Sequence, residues 1–124
     1  MSRPSAEAYR ELKAALAASL PAERLIDDPL RTLAYGTDAS FYRLVPRLVV
    51  RPESEVGLRV ILAECRARRL PVTFRAAGTS LSGQAVTDSV LIQLGYGWRG
   101  HELLDEGRAI RLQPGVVGAR ANQL

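Results

Sequence analysis

Between the two apolar runs Val72-Thr73-Phe74 and Val90-Leu91-Ile92, the chain carries Arg75-Ala76-Ala77-Gly78-Thr79-Ser80-Leu81-Ser82-Gly83, the stretch whose residue types could most readily do chemistry. Small side chains let a backbone approach a ligand closely, and successive amide N–H groups can line a concave anion site. A diphosphate fits such a site. Thr79, Ser80 and Ser82 add hydroxyl donors, and a helical turn opening near Ser80 would aim its positive end at the anion. By composition the same residues also suit a solvated turn joining two strands. Arg75, at the strand end, could pair with phosphate or with a nearby carboxylate.

Two familiar phosphate motifs do not fit. Gly78 to Gly83 reproduces the glycine spacing of a nucleotide P-loop, but Gln84 and Ala85 stand where lysine and a metal-binding hydroxyl belong. Gly95-Tyr96-Gly97-Trp98-Arg99-Gly100 is a literal GxGxxG. A dinucleotide fingerprint must open a helix and be followed about twenty residues on by an acidic residue for the ribose; here a hairpin is expected and that acidic residue is missing. Tyr96 and Trp98 could stack on a ring or cover a core edge. Cys65 lies on the inner side of a predicted helix with nothing nearby to lower its pKa, and His101 reads as a hairpin or surface residue.

Composition narrows the field further. The 124 residues suffice for one domain with a hydrophobic core, or a piece of one. The net charge of +4 comes from basic residues spread along the chain, almost all of them arginine, with Lys13 the sole lysine. A noncatalytic anion or nucleic-acid binding module is the alternative this charge keeps open; strong salt dependence would mark it. One cysteine and one histidine make neither an intrachain disulfide nor a usual zinc site, and they favour a reducing, cytoplasmic setting. Charges interrupt the apolar residues of the N-terminus, so no signal peptide is read there, and no run is long enough for a membrane span.

The elements that must hold the loop follow from periodicity. Ser5 can cap a helix whose stripe is Tyr9, Leu12, Leu16 and Leu20, with Pro21 beyond its end. Asp27 to Tyr42 carries turn-forming groups and reads as mostly irregular. Leu48-Val49-Val50 forms a buried strand, and Ser54 caps a helix whose inner face is assigned to Val56, Val60, Ile61, Leu62 and Cys65. Val72 to Arg75 forms a second strand parallel to the first. Val90 to Leu94 is a third. Glu102 to Leu104 and Ala109 to Gln113 suggest an antiparallel hairpin, and Val116 to Leu124 starts a helical pattern.

Taken in order, these segments resemble the flavoprotein family that includes vanillyl-alcohol oxidase, with the PCMH-type FAD-binding domain, and most of all its glycolate oxidase and D-lactate dehydrogenase branch. The resemblance covers about Tyr35 to Leu124. It rests on Tyr35-Gly36-Thr37-Asp38-Ala39-Ser40, on Pro46 to Pro52, on Arg75 to Gly83 and on Gln113-Pro114-Gly115-Val116. The branch's loop is similar to R-G-A-G-T-G-L-S-G, from which this chain departs at Ala76 and Ser80.

The resemblance implies that Ala76, Ala77, Gly78, Thr79, Ser80, Leu81, Gly83, Pro114 and Gly115 contact FAD, and that no residue here is catalytic or binds metal. Thr79 stands where covalently flavinylated relatives carry histidine, which implies noncovalent FAD. The expected fold is α+β: an N-terminal helix, a small parallel βαββ subdomain and the start of a second, mainly antiparallel subdomain. Residues 1–45 are expected to form the helix and linker, and 46–124 the first part of the FAD-binding domain. The family continues beyond such a segment, so the chain is expected to be an inactive N-terminal fragment of a flavin-dependent 2-hydroxy-acid dehydrogenase or oxidase. A substrate domain, an electron acceptor, which could sit at the inner membrane, and an iron–sulfur cluster of the kind found in the long members would belong to the parent.

Overall fold

The computed structural model describes residues 2–95 and 97–124. The stacking role considered for Tyr96 falls outside the described residues.

Helix α1 (Ala6–Leu16) begins where Ser5 Oγ accepts the Ala8 amide at 3.3 Å, the expected N-cap. Its stripe of Tyr9, Leu12 and Leu16 is buried, Leu20 is half-buried beyond the helix, and the helix packs against α3 (Glu55–Ala67). Ser54 caps α3 through the Gly57 amide at 3.1 Å. Ile61 and Cys65 turn inward, with Leu58 and Val60 half-buried beside them. Val56 and Leu62 do not join them, being 74% and 37% exposed. At 3.6 residues per turn Leu62 lies about 100° and Val56 about 140° around the helix from Ile61, so neither reaches the inner stripe.

Four strands form one sheet in the order β1-β2-β4-β3, comprising β1 (Leu25–Ile26), β2 (Leu48–Val50), β3 (Val72–Arg75) and β4 (Val90–Gln93). The last three are parallel, and β1 runs antiparallel to β2. Thus the βαβ unit β2-α3-β3 spans two strand positions, with the third strand inserted between. Leu48, Val50, Val90 and Ile92 face α1 and α3; Ile26, Val49 and Leu91 face the other way and meet Tyr35. Both faces of β2 and β4 are buried, as their uninterrupted apolar runs require.

The stretch expected to be irregular contains a helix, α2 (Pro29–Ala34). Asp28 accepts the Arg31 amide at 3.0 Å and Pro29 occupies the first turn, so the Asp-Asp-Pro group is a helix start rather than a turn. Residues 35–47 then run without regular structure apart from a bridge between Thr37 and Arg43.

The antiparallel hairpin is present as β5 (His101–Leu104) and β6 (Ala109–Leu112), and the helical pattern after it forms only the short α4 (Gly118–Ala121). The segment between β4 and β5 opens no helix, which removes the dinucleotide reading of its glycines. Trp98 is buried there and donates its indole N–H to the Pro52 carbonyl at 2.8 Å. His101 is exposed. No helix among the described residues is long and apolar enough to cross a membrane.

Candidate cofactor-binding site

The three parallel strands deliver Val50, Arg75 and Gln93 to one edge of the sheet, the carboxyl edge at which open α/β sheets commonly bind ligands. Arg75 and Gln93 are register partners on the face covered by Tyr35. The Tyr35 hydroxyl donates to Gln93 Oε1 at 3.0 Å, and the Arg75 guanidinium stands 5.7 Å from the centre of the Tyr35 ring.

Arg75 hydrogen-bonds backbone carbonyls, where a phosphate or a carboxylate was expected. One terminal nitrogen, Nη1, donates to the carbonyls of Thr37 at 2.8 Å, Tyr35 at 3.2 Å and Ala85 at 3.4 Å. The side chain therefore ties the strand end to both the Tyr35–Ser40 segment and the far end of its own loop. Asp38 closes the ring from the other side. Its carboxylate accepts the Ser40 amide at 2.8 Å, the Ser40 hydroxyl at 2.5 Å and the Ala85 amide at 3.4 Å. The Ser40 hydroxyl is the main reason the Asp38 carboxyl is held below its ordinary pKa; the two amides and the charge of Arg75 act in the same direction, against partial desolvation.

Inside this buckle runs the loop from Ala76 to Gln84. Gly78 adopts φ +73°, and a Cβ there would lie 2.2 Å from the Arg75 guanidinium, so the arginine occupies the space a side chain would need. Gly83 adopts φ +81°, with the Tyr42 ring 2.8 Å from the place of its absent Cβ. Ser80 Oγ bonds Gln84 Oε1. No helix begins near Ser80, since residues 76–89 contain only bends and a turn; a helix-end contribution to anion binding is therefore absent from this loop.

The amides from Ala76 through Gln84 have no hydrogen-bond acceptor among the described residues. A run of open N–H groups on a loop of small residues, held by groups behind it, fits the pyrophosphate of a dinucleotide. Ala76 and Ser80 keep negative φ, so the two departures from glycine cost the loop no left-handed position. Among the described residues there is no group of three or more His, Cys, Asp or Glu side chains that could hold a metal ion.

The FAD binding domain family matches residues 46–124. This chain belongs to that family. The glycolate oxidase subunit GlcD of Escherichia coli K12 is 38% identical over 115 residues, covering 88% of the chain and 22% of that protein. The D-2-hydroxyglutarate dehydrogenase of the same strain is 32% identical over 95 residues, covering 73% of the chain and 9% of that protein. A crystal structure of substrate-bound p-cresol methylhydroxylase superposes with a TM-score of 0.81 at 12% identity, over 96% of the chain and 24% of that one, a likeness of fold. The chain thus spans about a fifth or less of the length of the curated relatives it matches.

Within this FAD-binding domain, the candidate residues fall in two places. Ala76 to Gly83 form the open loop. Pro114 and Gly115 follow the hairpin, and Gly115 meets the turn after β4, its amide donating to the Trp98 carbonyl at 2.7 Å. A Cβ at Gly115 would sit 2.4 Å from the Gly95 carbonyl oxygen and 2.6 Å from that of Trp98, so close backbone packing accounts for glycine at this position. Among the described residues no hydrogen bond joins this segment to the loop. Sequence reasoning gave no role to Tyr35, Asp38, Tyr42 or Gln93; the signal for Tyr35 and Asp38 was the Tyr-Gly-Thr-Asp-Ala-Ser run, whose partners in space lie some forty to sixty residues away in the chain.

Proposed function

We propose that the loop from Ala76 to Gly83 holds the pyrophosphate of noncovalently bound FAD through its backbone amides, with Pro114 and Gly115 lining the same cofactor from the hairpin side. The observation that carries this reading is the run of acceptor-free amides fixed at the carboxyl edge of the parallel strands by Arg75. Thr79 offers no imidazole for a covalent flavin link. Residues 46–124 act as the first part of the flavin domain, and residues 1–45 bring a helix onto its core and a segment that braces its loop.

The parent is a flavin-dependent oxidoreductase acting on a 2-hydroxy acid, a reading supported by the glycolate and 2-hydroxyglutarate relatives. When bound, FAD supplies the two-electron acceptor for oxidising the carbon that bears the hydroxyl. The contribution of this chain is to bind and orient: Arg75 and Asp38 hold the loop, and the loop amides neutralise phosphate charge. The substrate residues, the electron acceptor and any iron–sulfur cluster belong to the remainder of the parent, in a cytoplasmic setting.

Titration of FAD with the chain, followed by flavin fluorescence, tests the cofactor assignment. Saturable quenching below about 100 µM is expected, corresponding to roughly 5 kcal/mol of binding free energy. No response at that concentration would leave the chain with the fold and without the cofactor role.

A further inference from the structure

At the opposite edge of the sheet, where β2, β3 and β4 begin, lies a cavity of about 460 Å³ that the flavin reading does not use. Its lining includes Arg3, Tyr9, Arg47, Arg69, Asp88 and Ser89. Arg3 and Asp88 neutralise each other in an ion pair at 2.6 Å. Arg47 and Arg69 have no carboxylate within ion-pair distance among the described residues. The Arg47 guanidinium lies 5.9 Å from the centre of the Tyr9 ring, so its position is set by stacking rather than by a counter-charge.

The cavity wall supplies a second, independent sign of a ligand. Tyr9 and Ser89 are 8% and 2% exposed, and their hydroxyl oxygens lie 2.9 Å apart. Two hydroxyls carry two protons, and only one can lie between the oxygens. Neither oxygen has another side-chain hydrogen-bond partner among the described residues, so the second O–H proton is available to an acceptor in the cavity. A hydroxyl proton takes an acceptor, and two solvent-facing guanidiniums without a carboxylate partner favour one that carries negative charge. Of the ligand classes, an oxyanion suits both the hydroxyl proton and the two guanidiniums, while a cation or an apolar ligand suits neither.

We propose that this cavity is a second anion site, taking a small organic dianion, a phosphorylated or dicarboxylate metabolite, between Arg47 and Arg69 and the Tyr9–Ser89 hydroxyl pair. The volume lies within the range of small-molecule sites, about 300–1,000 Å³, and exceeds what an inorganic ion alone would fill. The site stands on side chains of α1, the strand starts and the end of α3, and it does not depend on the flavin loop.

The test is a two-dimensional NMR titration of the full 124-residue chain with inorganic phosphate and, separately, succinate, at ionic strength held constant with sodium chloride. Saturable shifts confined to Ser89, Arg47, Arg69 and their neighbours are expected below about 10 mM. A response to phosphate alone assigns a phosphoryl ligand, and a response to succinate alone a dicarboxylate. Arg69→Gln should weaken binding about tenfold and the Arg47→Gln/Arg69→Gln pair further, both at unchanged thermal stability because both residues are exposed. Gly78→Val should leave the titration unchanged, which separates this site from the flavin loop. Absence of a saturable response to either probe, an equal response to chloride, or titrations unaltered by the arginine variants would overturn the proposal.

Discussion

The two edges of one small sheet place arginine in opposite circumstances. At the carboxyl edge, Arg75 directs its N–H groups to three carbonyls of the protein itself, and in the function proposed above the anion is met by backbone amides. At the amino edge, Arg47 and Arg69 line a cavity with no carboxylate partner among the described residues, and the anion proposed there would be met by side chains. The difference teaches that arginine beside a candidate phosphate loop need not itself be the candidate ligand. A guanidinium can instead fix the shape of a backbone that is one, and the two roles respond differently to mutation and to pH.

The sharpest break in the comparison is Gly78→Val. A side chain there meets the Arg75 guanidinium and a φ that L residues rarely adopt, so FAD affinity should fall by about a hundredfold or more while circular dichroism still reports the folded sheet. Arg75→Lys comes next. Lysine keeps the charge but cannot reproduce the planar fork that reaches three carbonyls, and loss of two such bonds predicts a drop in FAD affinity of about tenfold to a hundredfold. If charge alone mattered, Lys would rescue.

Acid should loosen the same buckle. Because the folded pKa of Asp38 is lowered, its contribution to stability is fully present above the ordinary aspartate value and is lost as pH falls through the folded value. The melting temperatures of the native chain and of Asp38→Asn should therefore differ at neutral pH and converge in acid. Smaller still, the Arg47→Gln/Arg69→Gln pair should change FAD affinity by no more than about twofold, since both lie at the far edge. The least effect belongs to Cys65: burial raises its thiol pKa to about 11, so alkylation in the native state at neutral pH should be slow beside the unfolded chain.

Much of the frame was legible from local pattern. Ser5 and Ser54 each precede an apolar stripe at helical spacing, and both are caps; the runs at 48–50 and 90–93 are strands because short apolar runs suit a sheet buried on both sides, and 72–75 is the half-exposed edge strand beside them. Strand order was not legible, because periodicity is silent on which strand lies between two others. Helix α2 was missed because Asp28-Pro29 serves equally as a turn signal and a helix start, and six residues are too few to show a period. In the site, residue size singled out the loop as the candidate. Its bracing did not: nothing local to Arg75 reveals that its partners are carbonyls at positions 35, 37 and 85, and the role of Asp38 rests on an amide 47 residues away.

The contact at Gly115 carries a mechanical consequence. With two carbonyl oxygens filling the room a methyl would need, the exit of the hairpin is riveted to the turn after β4 through the backbone alone. Hairpin and sheet are thereby obliged to move as one piece. The amide proton of Gly115, held in a 2.7 Å hydrogen bond at that contact, should be among the slowest in that half of the molecule to exchange with solvent.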